Sequence, residues 1–238
     1  MRCLSHRRIW PFVVAAALVS FSPSFSAAQD AEFQIWNAIA ATARVAPVEP
    51  TPMLWLDTHA RRGNGGTVLI FRPAVGLAIA DWLSVWAGYA WVPVFSDQSA
   101  DPVHEHRAWQ QVILKHTTSF RLSFQSRTRF EQRFSEAGDD VGFRLREFVR
   151  VSYQPTDSFP MGVVVWDELF IGLNDTDWGA PGGVDQNRIF VGPFLKLAPF
   201  ARLEMGYLAA YIDRETDTLA HVLAINLFIS GGPRSPAP

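Results

Sequence analysis

The chain has 238 residues, with 21 basic and 23 acidic side chains, 48% hydrophobic residues and 13% aromatics. Nine tryptophans and 18 phenylalanines, with only 18% charged residues, exclude a disordered chain. A formal charge of -2 gives no electrostatic basis for binding nucleic acid, so we expect no nucleic-acid partner. A single cysteine excludes an intramolecular disulfide.

The first 28 residues have the features of a secretory signal peptide. Three arginines within the first eight residues form a basic segment, Ile9–Phe21 supplies 13 mostly apolar residues, and Ser26–Ala28 offers the small side chains of a cleavage site. This apolar run is shorter than the roughly 20 residues of a spanning helix, and an uncleaved anchor is the alternative. Cleavage leaves 18 bases against 23 acids and no cysteine, which suits an exported chain in an oxidising compartment.

A two-residue alternation runs from Phe120 to Phe134. The even positions are mainly phenylalanine and leucine, whereas the odd positions carry Arg121, Arg127, Arg129 and other polar or charged residues. Because successive side chains of a strand point to opposite faces, this pattern predicts one apolar and one charged face. A helix would scatter the same arginines around its axis and leave no stripe.

Ten further stretches alternate in a similar way, and each has ten or more residues. They are Phe33–Val45, Met53–Arg62, Thr67–Ala80, Trp82–Val92, Glu105–Thr117, Phe143–Tyr153, Met161–Leu173, Gln186–Leu197, Ala201–Ile212 and Thr218–Ile229. A tilted transmembrane strand needs about 9–11 residues, whereas globular strands average about five or six. The lengths therefore favour an all-β, closed antiparallel transmembrane β-barrel.

The connections between these stretches alternate between tight and long. The tight ones are at residues 80–81, 118–119 and 198–200, and the long ones are Pro93–His104, Ser135–Gly142 and Asn174–Asp185. Outer-membrane barrels combine short periplasmic turns with longer external loops. The tryptophans near strand ends predict interfacial girdles; they are Trp55, Trp82, Trp91, Trp109 and Trp178.

Two features do not fit a regular barrel. Eleven stretches are an odd number, so Phe33–Val45 is either a segment that does not span, which leaves 10 strands, or one of the stretches contains two strands, which makes 12. Asp167 and Glu168 are adjacent, so one of them faces lipid unless a bulge turns both inward, which is the arrangement we predict. The sequence thus predicts 10–12 strands.

The charged faces predict a lumen filled with arginine and acidic side chains. The predicted lumen charge network consists of Arg107, Arg121, Arg127, Arg129, Glu131, Arg133, Arg144, Arg146, Glu168, Arg188, Arg202 and Glu204. Glu105 and Glu147 are further candidate partners for these arginines, and only two lysines occur, Lys115 and Lys196. Charges inside a narrow barrel must be paired or hydrated, so we expect structural salt bridges, with an anion-selective constriction as the alternative.

Four sequence strings resemble a known bacterial family. They are Glu105–Gln111, Arg127–Arg133, Glu168–Asn174 and Met205–Leu208, and they occur in the family's order over nearly the whole chain after residue 28. In these four strings the chain resembles the bacterial family called domain of unknown function 2490. The resemblance implies an outer-membrane β-barrel. It implies no catalytic residue, because that family has no established activity.

Residues suited to chemistry are few. Ser119 or Ser123 with His116 or His221 is the only candidate nucleophile and base that we single out, for a barrel enzyme acting on lipid. His104 and His106 share one strand face, but the sequence offers no third metal ligand.

A third polar segment is residues 174–179, which has oxygen ligands at alternate positions. It lacks the later acid of a calcium loop, so a hydrogen-bonded turn is the favoured interpretation. We predict no cofactor, no metal site and no catalytic residue.

The sequence therefore predicts a signal peptide at 1–28, an outer-membrane β-barrel at 29–230 and a disordered tail at 231–238. The expected role is structural or that of a narrow pore with an arginine- and glutamate-lined lumen. The expected partners are outer-membrane lipid and, during insertion, the barrel-assembly machinery. The alternatives are a barrel enzyme acting on outer-membrane lipid and a soluble periplasmic β-barrel binding protein.

Overall fold

A computed structural model describes residues 30–213 and 217–233; the predicted signal peptide and most of the predicted tail lie outside these residues. The described residues form eleven strands: β1 Asp30–Arg44, β2 Thr51–Gly63, β3 Gly66–Ala80, β4 Leu83–Ser96, β5 Val103–Thr117, β6 Leu122–Ser135, β7 Val141–Tyr153, β8 Met161–Gly172, β9 Gly183–Ala198, β10 Ala201–Ile212 and β11 Thr218–Gly231. In this part of the chain no helix is long and apolar enough to cross a membrane.

The eleven strands close into one barrel. Consecutive strands pair antiparallel from β1 to β11, and β1 then pairs with β11 in parallel, from Asp30 opposite Thr218 to Ala43 opposite Gly231. The all-β barrel prediction is confirmed, including its range of 10–12 strands. Both explanations of the odd count were wrong. The predicted segment Phe33–Val45, apart from its last residue, lies in the full wall strand β1, and a parallel closure accommodates an odd number of strands.

The strand alternation separates an inner from an outer face. In β6, Arg129 and Glu131 point into the barrel and are fully buried, whereas Phe124 and Phe134 point outward and are exposed. β8 alternates in the same way, with Val164, Glu168 and Phe170 inside. The apolar face predicted from the sequence pattern is thus the outside of the barrel, and the charged face is its inside.

The two ends of the barrel carry different connections. At the upper end, where β1 begins, are the connections 64–65, 97–102, 136–140 and 173–182 and the ends of β10 and β11 that face each other in sequence. At the lower end, where β11 ends, are the connections 45–50, 81–82, 118–121, 154–160 and 199–200. The three predicted long loops all lie at the upper end, although the strands extend further into them than the pattern indicated. The asymmetry is weaker than predicted, because a two-residue turn lies at the upper end and a seven-residue loop at the lower end.

Two apolar clusters fill the inside of the barrel between its charged side chains. One contains Trp36, Phe190 and Phe194, and the other contains Trp86 and Trp109, with Trp55 packed against it. The Trp55 ring meets those of Trp86 and Trp109 edge-on, at centroid distances of 5.3 and 6.3 Å.

Trp55 and Trp109 therefore do not belong to an interfacial girdle as predicted, since both point inward. The inward-facing Gly88 makes room for Trp109: a Cβ atom at residue 88 would lie 2.4 Å from the tryptophan ring. A larger residue at position 88 would displace this ring from the packed interior.

Candidate functional site

A ladder of buried ion pairs crosses the inside of the barrel from β9 to β6. Arg144 donates to Glu131 at 2.6 Å and to Asp185 at 3.2 Å, and Arg146 donates to Glu131 at 2.7 Å and to Glu168 at 2.6 Å. All of these side chains are buried. Each of the two arginines serves two carboxylates, as a planar guanidinium with five donors can.

Further pairs extend this ladder toward neighbouring strands. Glu168 also accepts from Arg127, and Arg188 lies 3.9 Å from it. On β5, Glu105 accepts from Arg107 at 2.8 and 2.9 Å and from Arg133 at 2.5 and 3.2 Å. The buried arginines of the ladder are therefore neutralised within the barrel rather than by solvent.

A second group joins β2 to β3 inside the barrel. Arg72 donates to both oxygens of Asp57, at 2.7 and 2.6 Å, and lies 2.9 Å from His59 Nε2. Asp57 and Arg72 are directly opposite each other in the strand register. This bidentate pair fixes the pairing of the two strands from the inside.

Arg129 closes the middle of the barrel. Its guanidinium donates to Gln111 Oε1 at 2.9 and 2.7 Å and lies 4.1 Å from the centre of the Trp109 ring. Arg129 and Trp109 are both fully buried, and Glu131 lies 3.6 Å from Arg129 Nη1. The attraction between a cation and the face of an aromatic ring is stronger in a site that excludes water than at an exposed site.

A smaller group lies near the lower end. Glu204 is fully buried and pairs with Arg150 and, at 2.8 Å, with Arg202 Nε. Arg202 lies 3.6 Å from the centre of the Phe194 ring, and Arg150 lies 5.5 Å from that of Phe228. This group is separate from the ladder.

Three acidic or basic residues are not where the sequence pattern placed them. Arg121 lies in the β5–β6 connection, with a left-handed backbone, and pairs with the exposed Asp157 at 3.1 Å instead of joining the lumen network. Glu147 faces outward and accepts from Thr128 at 2.9 Å, and Asp167 faces outward and accepts from Asn187 at 3.0 Å.

The predicted bulge that turns Asp167 and Glu168 inward is therefore wrong. The register shift between β8 and β9 lies at Phe170–Ile171. A bulge at that position leaves the alternation at 167 and 168 intact, so these neighbours point to opposite faces.

The sequence analysis did not predict some members of the buried charge network. They include Asp57, Arg72 and Asp185. For Asp57 and Arg72, the sequence contains a pattern that predicts their pairing. The Gly-rich turn at residues 63–66 fixes the β2–β3 hairpin, and counting outward from it places Asp57 opposite Arg72. Asp185 precedes the predicted strand Gln186–Leu197, so the alternation did not reach it.

Two cavities open inside the barrel, one toward each end. The upper cavity has a volume of about 530 Å³ and is lined by Trp36, Arg61, Arg72, Arg144, Arg146 and Arg188. The lower cavity has a volume of about 530 Å³, with an adjoining space of about 220 Å³, and is lined by Lys115, Gln125, Arg150, Lys196, Arg202 and Phe228. The two share no lining residue, because the layer around Trp109 and Arg129 lies between them.

The structure does not bring together the serine and histidine residues singled out for lipid chemistry. Ser123 lies on an inward position of β6 and is 3.1 Å from Thr117, whereas His116 lies on an outward position of β5. His221 lies on the outside of β11 and contacts the Tyr207 hydroxyl at 2.6 Å. Within the described ranges no hydrogen bond joins either serine to either histidine.

His104 and His106 lie on the outside of β5. They stack on Trp91 and Tyr89, at centroid distances of 5.7 and 5.9 Å. Among the residues that the structure describes, no group of three or more histidine, cysteine or acidic side chains could hold a metal ion. These two histidines therefore belong to pairs of stacked rings on the outer surface.

The segment 174–179 is a hydrogen-bonded turn that holds two upper loops together. Asp177 accepts from the backbone N–H groups of Asp139 and Asp140, at 2.9 and 3.1 Å, and these bonds hold the pKa of its carboxyl below the usual range. Asn174 Oδ1 accepts from Phe143 N at 2.8 Å. These oxygens bind backbone donors, which is the role of a structural turn.

The ladder yields a prediction for Glu131. In the E131Q variant, Arg144 and Arg146 each lose a buried counter-charge, so we expect the free energy of unfolding to fall by about 3–5 kcal/mol. The measurement is urea unfolding of the purified barrel, followed by tryptophan fluorescence.

The matched control is D97N, which breaks the exposed pair between Arg62 and Asp97. Surface pairs contribute less than about 1 kcal/mol, so D97N should unfold almost like the wild-type chain. Equal, small effects of the two substitutions would contradict a structural role for the ladder.

Comparisons with known proteins identify one relative and one family. An uncharacterized protein of Methylorubrum extorquens (strain AM1) is 40% identical over 179 residues, which are 73% of this chain and 78% of that protein. No solved structure matches the chain. The family model described as "Protein of unknown function (DUF2490)" matches residues 33–220. This match covers most of the chain, which therefore belongs to the DUF2490 family.

Proposed function

We propose that the protein is an integral outer-membrane β-barrel whose interior is closed by structural ion pairs. The observation that carries the proposal is the apolar outer face of the closed barrel. Val75, Val163 and Ile189, on three different strands, are exposed at 61%, 54% and 51%. Apolar side chains that are exposed on the outer face of many strands cost free energy in water and are favourable against lipid.

The dimensions of the wall support the same proposal. Its strands have 12 to 16 residues. At about 3.3 Å per residue and a tilt of roughly 40°, a 12-residue strand rises about 30 Å, which is enough for the ~25 Å apolar band of an outer-membrane barrel.

Aromatic side chains at both ends of the outer face add further support. Near the upper end, Phe95, Phe134 and Phe143 face outward and are exposed. At the lower end, Trp82 and Tyr153 are exposed. Aromatic rings at both limits of an apolar band are typical of membrane interfaces.

The closed interior favours a structural role over a pore. An ion that entered the upper cavity would have to pass the layer of Trp109, Arg129 and Phe190, which are fully buried. Arg129 is held by Gln111 and by the Trp109 ring, so passage would break these contacts.

The first test of the proposal is cell fractionation. We expect the mature chain in the outer-membrane fraction, with heat-modifiable mobility on gels and protease-accessible sites in the 173–182 loop of intact cells. The lower connection 154–160 is the internal control and should be cut only after the membrane is permeabilised. A mature chain that stays soluble without detergent would contradict the proposal.

A second test concerns conduction. We expect the barrel to give no conductance steps in planar lipid bilayers at either sign of the voltage, because its two cavities are separated. A general porin purified in the same detergent is the control for insertion. Stepwise currents from the wild-type barrel would show an open lumen and support the narrow pore instead.

The third test uses Asp167 and Asn187, a hydrogen-bonded pair of polar side chains that face outward. Replacing Asp167 and Asn187 together by leucine removes a hydrogen-bonded polar pair from the lipid-facing band. We expect D167L/N187L to raise the free energy of unfolding in phospholipid vesicles by up to about 2 kcal/mol. The measurement is the urea midpoint in these vesicles.

The control is D57L, which removes a buried partner of Arg72 inside the barrel and should be strongly destabilising. A soluble barrel has no lipid against which the new leucines could be buried. Destabilisation by D167L/N187L would therefore argue that this face does not meet lipid.

A further inference from the structure

The lower cavity has an unusual set of basic side chains. Its walls include Arg44, Lys115, Arg150, Lys196 and Arg202. One lining acid, Asp81, is fully exposed at the rim, 3.8 Å from Arg44, and the buried Glu204 pairs with Arg150 and Arg202. Positive charge therefore exceeds negative charge in this cavity.

Both lysines of the chain lie in this cavity. The sequence contains Lys115 and Lys196 and no other lysine. Neither ammonium group makes a hydrogen bond or an ion pair with another side chain of residues 30–213 and 217–233, although Lys115 lies within electrostatic range of Arg44 and Arg150. Two unpaired ammonium groups thus face one water-accessible space.

The upper cavity differs from this arrangement. Its arginines lie within 4.0 Å of carboxylates of the same barrel, as Arg72 does with Asp57 and Arg146 with Glu131 and Glu168. Arg61 is the exception, and its guanidinium lies over the Trp36 ring at 4.4 Å. The upper cations are mostly occupied by structural contacts, whereas the lower lysines are not.

We propose that the lower cavity is a binding site for a multivalent oxyanion of the phosphate class. The two lysines would supply point charges that reorient around the ligand, and Arg150 and Arg202, held by Glu204 and by phenylalanine rings, supply a fixed basic wall. The proposal goes beyond the closed structural barrel, and the binding of pyrophosphate in detergent tests it separately from the proposed location in the outer membrane.

The other walls of the cavity suit the same ligand. Ser152 and Ser230 offer hydroxyl donors, and Phe200 and Phe228 form an apolar side. A volume of about 530 Å³ accommodates a phosphate group together with part of the molecule that carries it. That molecule is either a soluble phosphorylated compound or a lipid headgroup with a phosphate monoester.

The test is a titration of the full-length barrel with inorganic pyrophosphate. The barrel is purified in a zwitterionic detergent at low ionic strength, and binding is measured by isothermal titration calorimetry. We expect saturable binding that weakens as NaCl is added. The K115Q/K196Q variant should bind at least roughly tenfold more weakly, because it loses two charge-assisted contacts.

The matched control is R62Q/R121Q, which removes the same formal charge from two exposed arginines outside the cavity. It should bind pyrophosphate like the wild-type barrel. Since neither lysine has a partner to leave unpaired, K115Q/K196Q should fold, and its heat-modifiable mobility checks this. The single variants K115Q and K196Q are measured too, so that a folding defect of the double variant leaves the test intact.

Two results would overturn the site. One is the absence of saturable pyrophosphate binding by the wild-type barrel, and the other is an equal loss of affinity in K115Q/K196Q and R62Q/R121Q. If the double variant does not fold, wild-type affinity in both single variants also overturns it.

The source of the ligand is distinguished in lipid nanodiscs. The titration is repeated in phosphatidylcholine discs with and without added phosphatidic acid. Weaker pyrophosphate binding in the presence of phosphatidic acid supports a lipid headgroup in the site, and unchanged binding supports a soluble ligand. In both cases the dependence on the two lysines must persist, and its loss would contradict the proposal.

Discussion

The pairing of Arg146 with Glu131 and Glu168 is the interaction on which the rest of the interior depends. It joins three neighbouring strands, β6, β7 and β8, through one guanidinium. In a barrel of this width the inward side chains cannot all be hydrated, so every arginine on the inner face needs a carboxylate, an amide or an aromatic ring. A slip of one residue between two of these strands would move the charges of one of them to the outer face, so the ladder specifies register as well as closure.

Closure through parallel β1 and β11 solves a different problem. Eleven antiparallel strands in a row place the first and last strands in the same direction, and an open edge would leave unpaired backbone groups. The fourteen consecutive partners between β1 and β11 satisfy those groups along nearly the whole of β1. Trp36 of β1 packs inside the barrel against the β8–β11 cluster, so the closing strand also contributes to the core.

The sequence predicts the wall of this barrel much better than its ends and its pairings. Alternation at residues 120–134 identifies both faces of β6, because a strand offers only two directions for a side chain. The same rule fails at Arg121, where the turn takes the backbone out of the strand conformation. It also did not separate Trp109, which fills the interior, from Trp91, which faces outward, because the sequence analysis assigned both tryptophans to an interfacial girdle.

Pairing partners depend on register, which the sequence fixes only where a turn is tight. The hairpin at residues 63–66 would have placed Asp57 opposite Arg72, whereas the contact of Arg144 with Asp185 joins β7 to β9 across an intervening strand. Contacts between strands that are not neighbours, such as that of Arg144 with Asp185, arise from the curvature of a closed barrel. A local sequence pattern does not predict that curvature. The parallel closure was missed for the same reason, because it joins the two ends of the chain.

The distribution of arginine and lysine follows from how each cation is hydrated. A guanidinium is weakly hydrated and offers donors in a plane, so it can serve two carboxylates when it is buried, as Arg144 and Arg146 do. An ammonium group is strongly hydrated, so an unpaired lysine is tolerated only where water reaches it, and both lysines occupy the lower cavity. The arginines of the ladder already form ion pairs with acidic side chains of the same chain. The lower mouth is therefore where this barrel can offer positive charge to another molecule without dismantling the contacts that hold its strands in register.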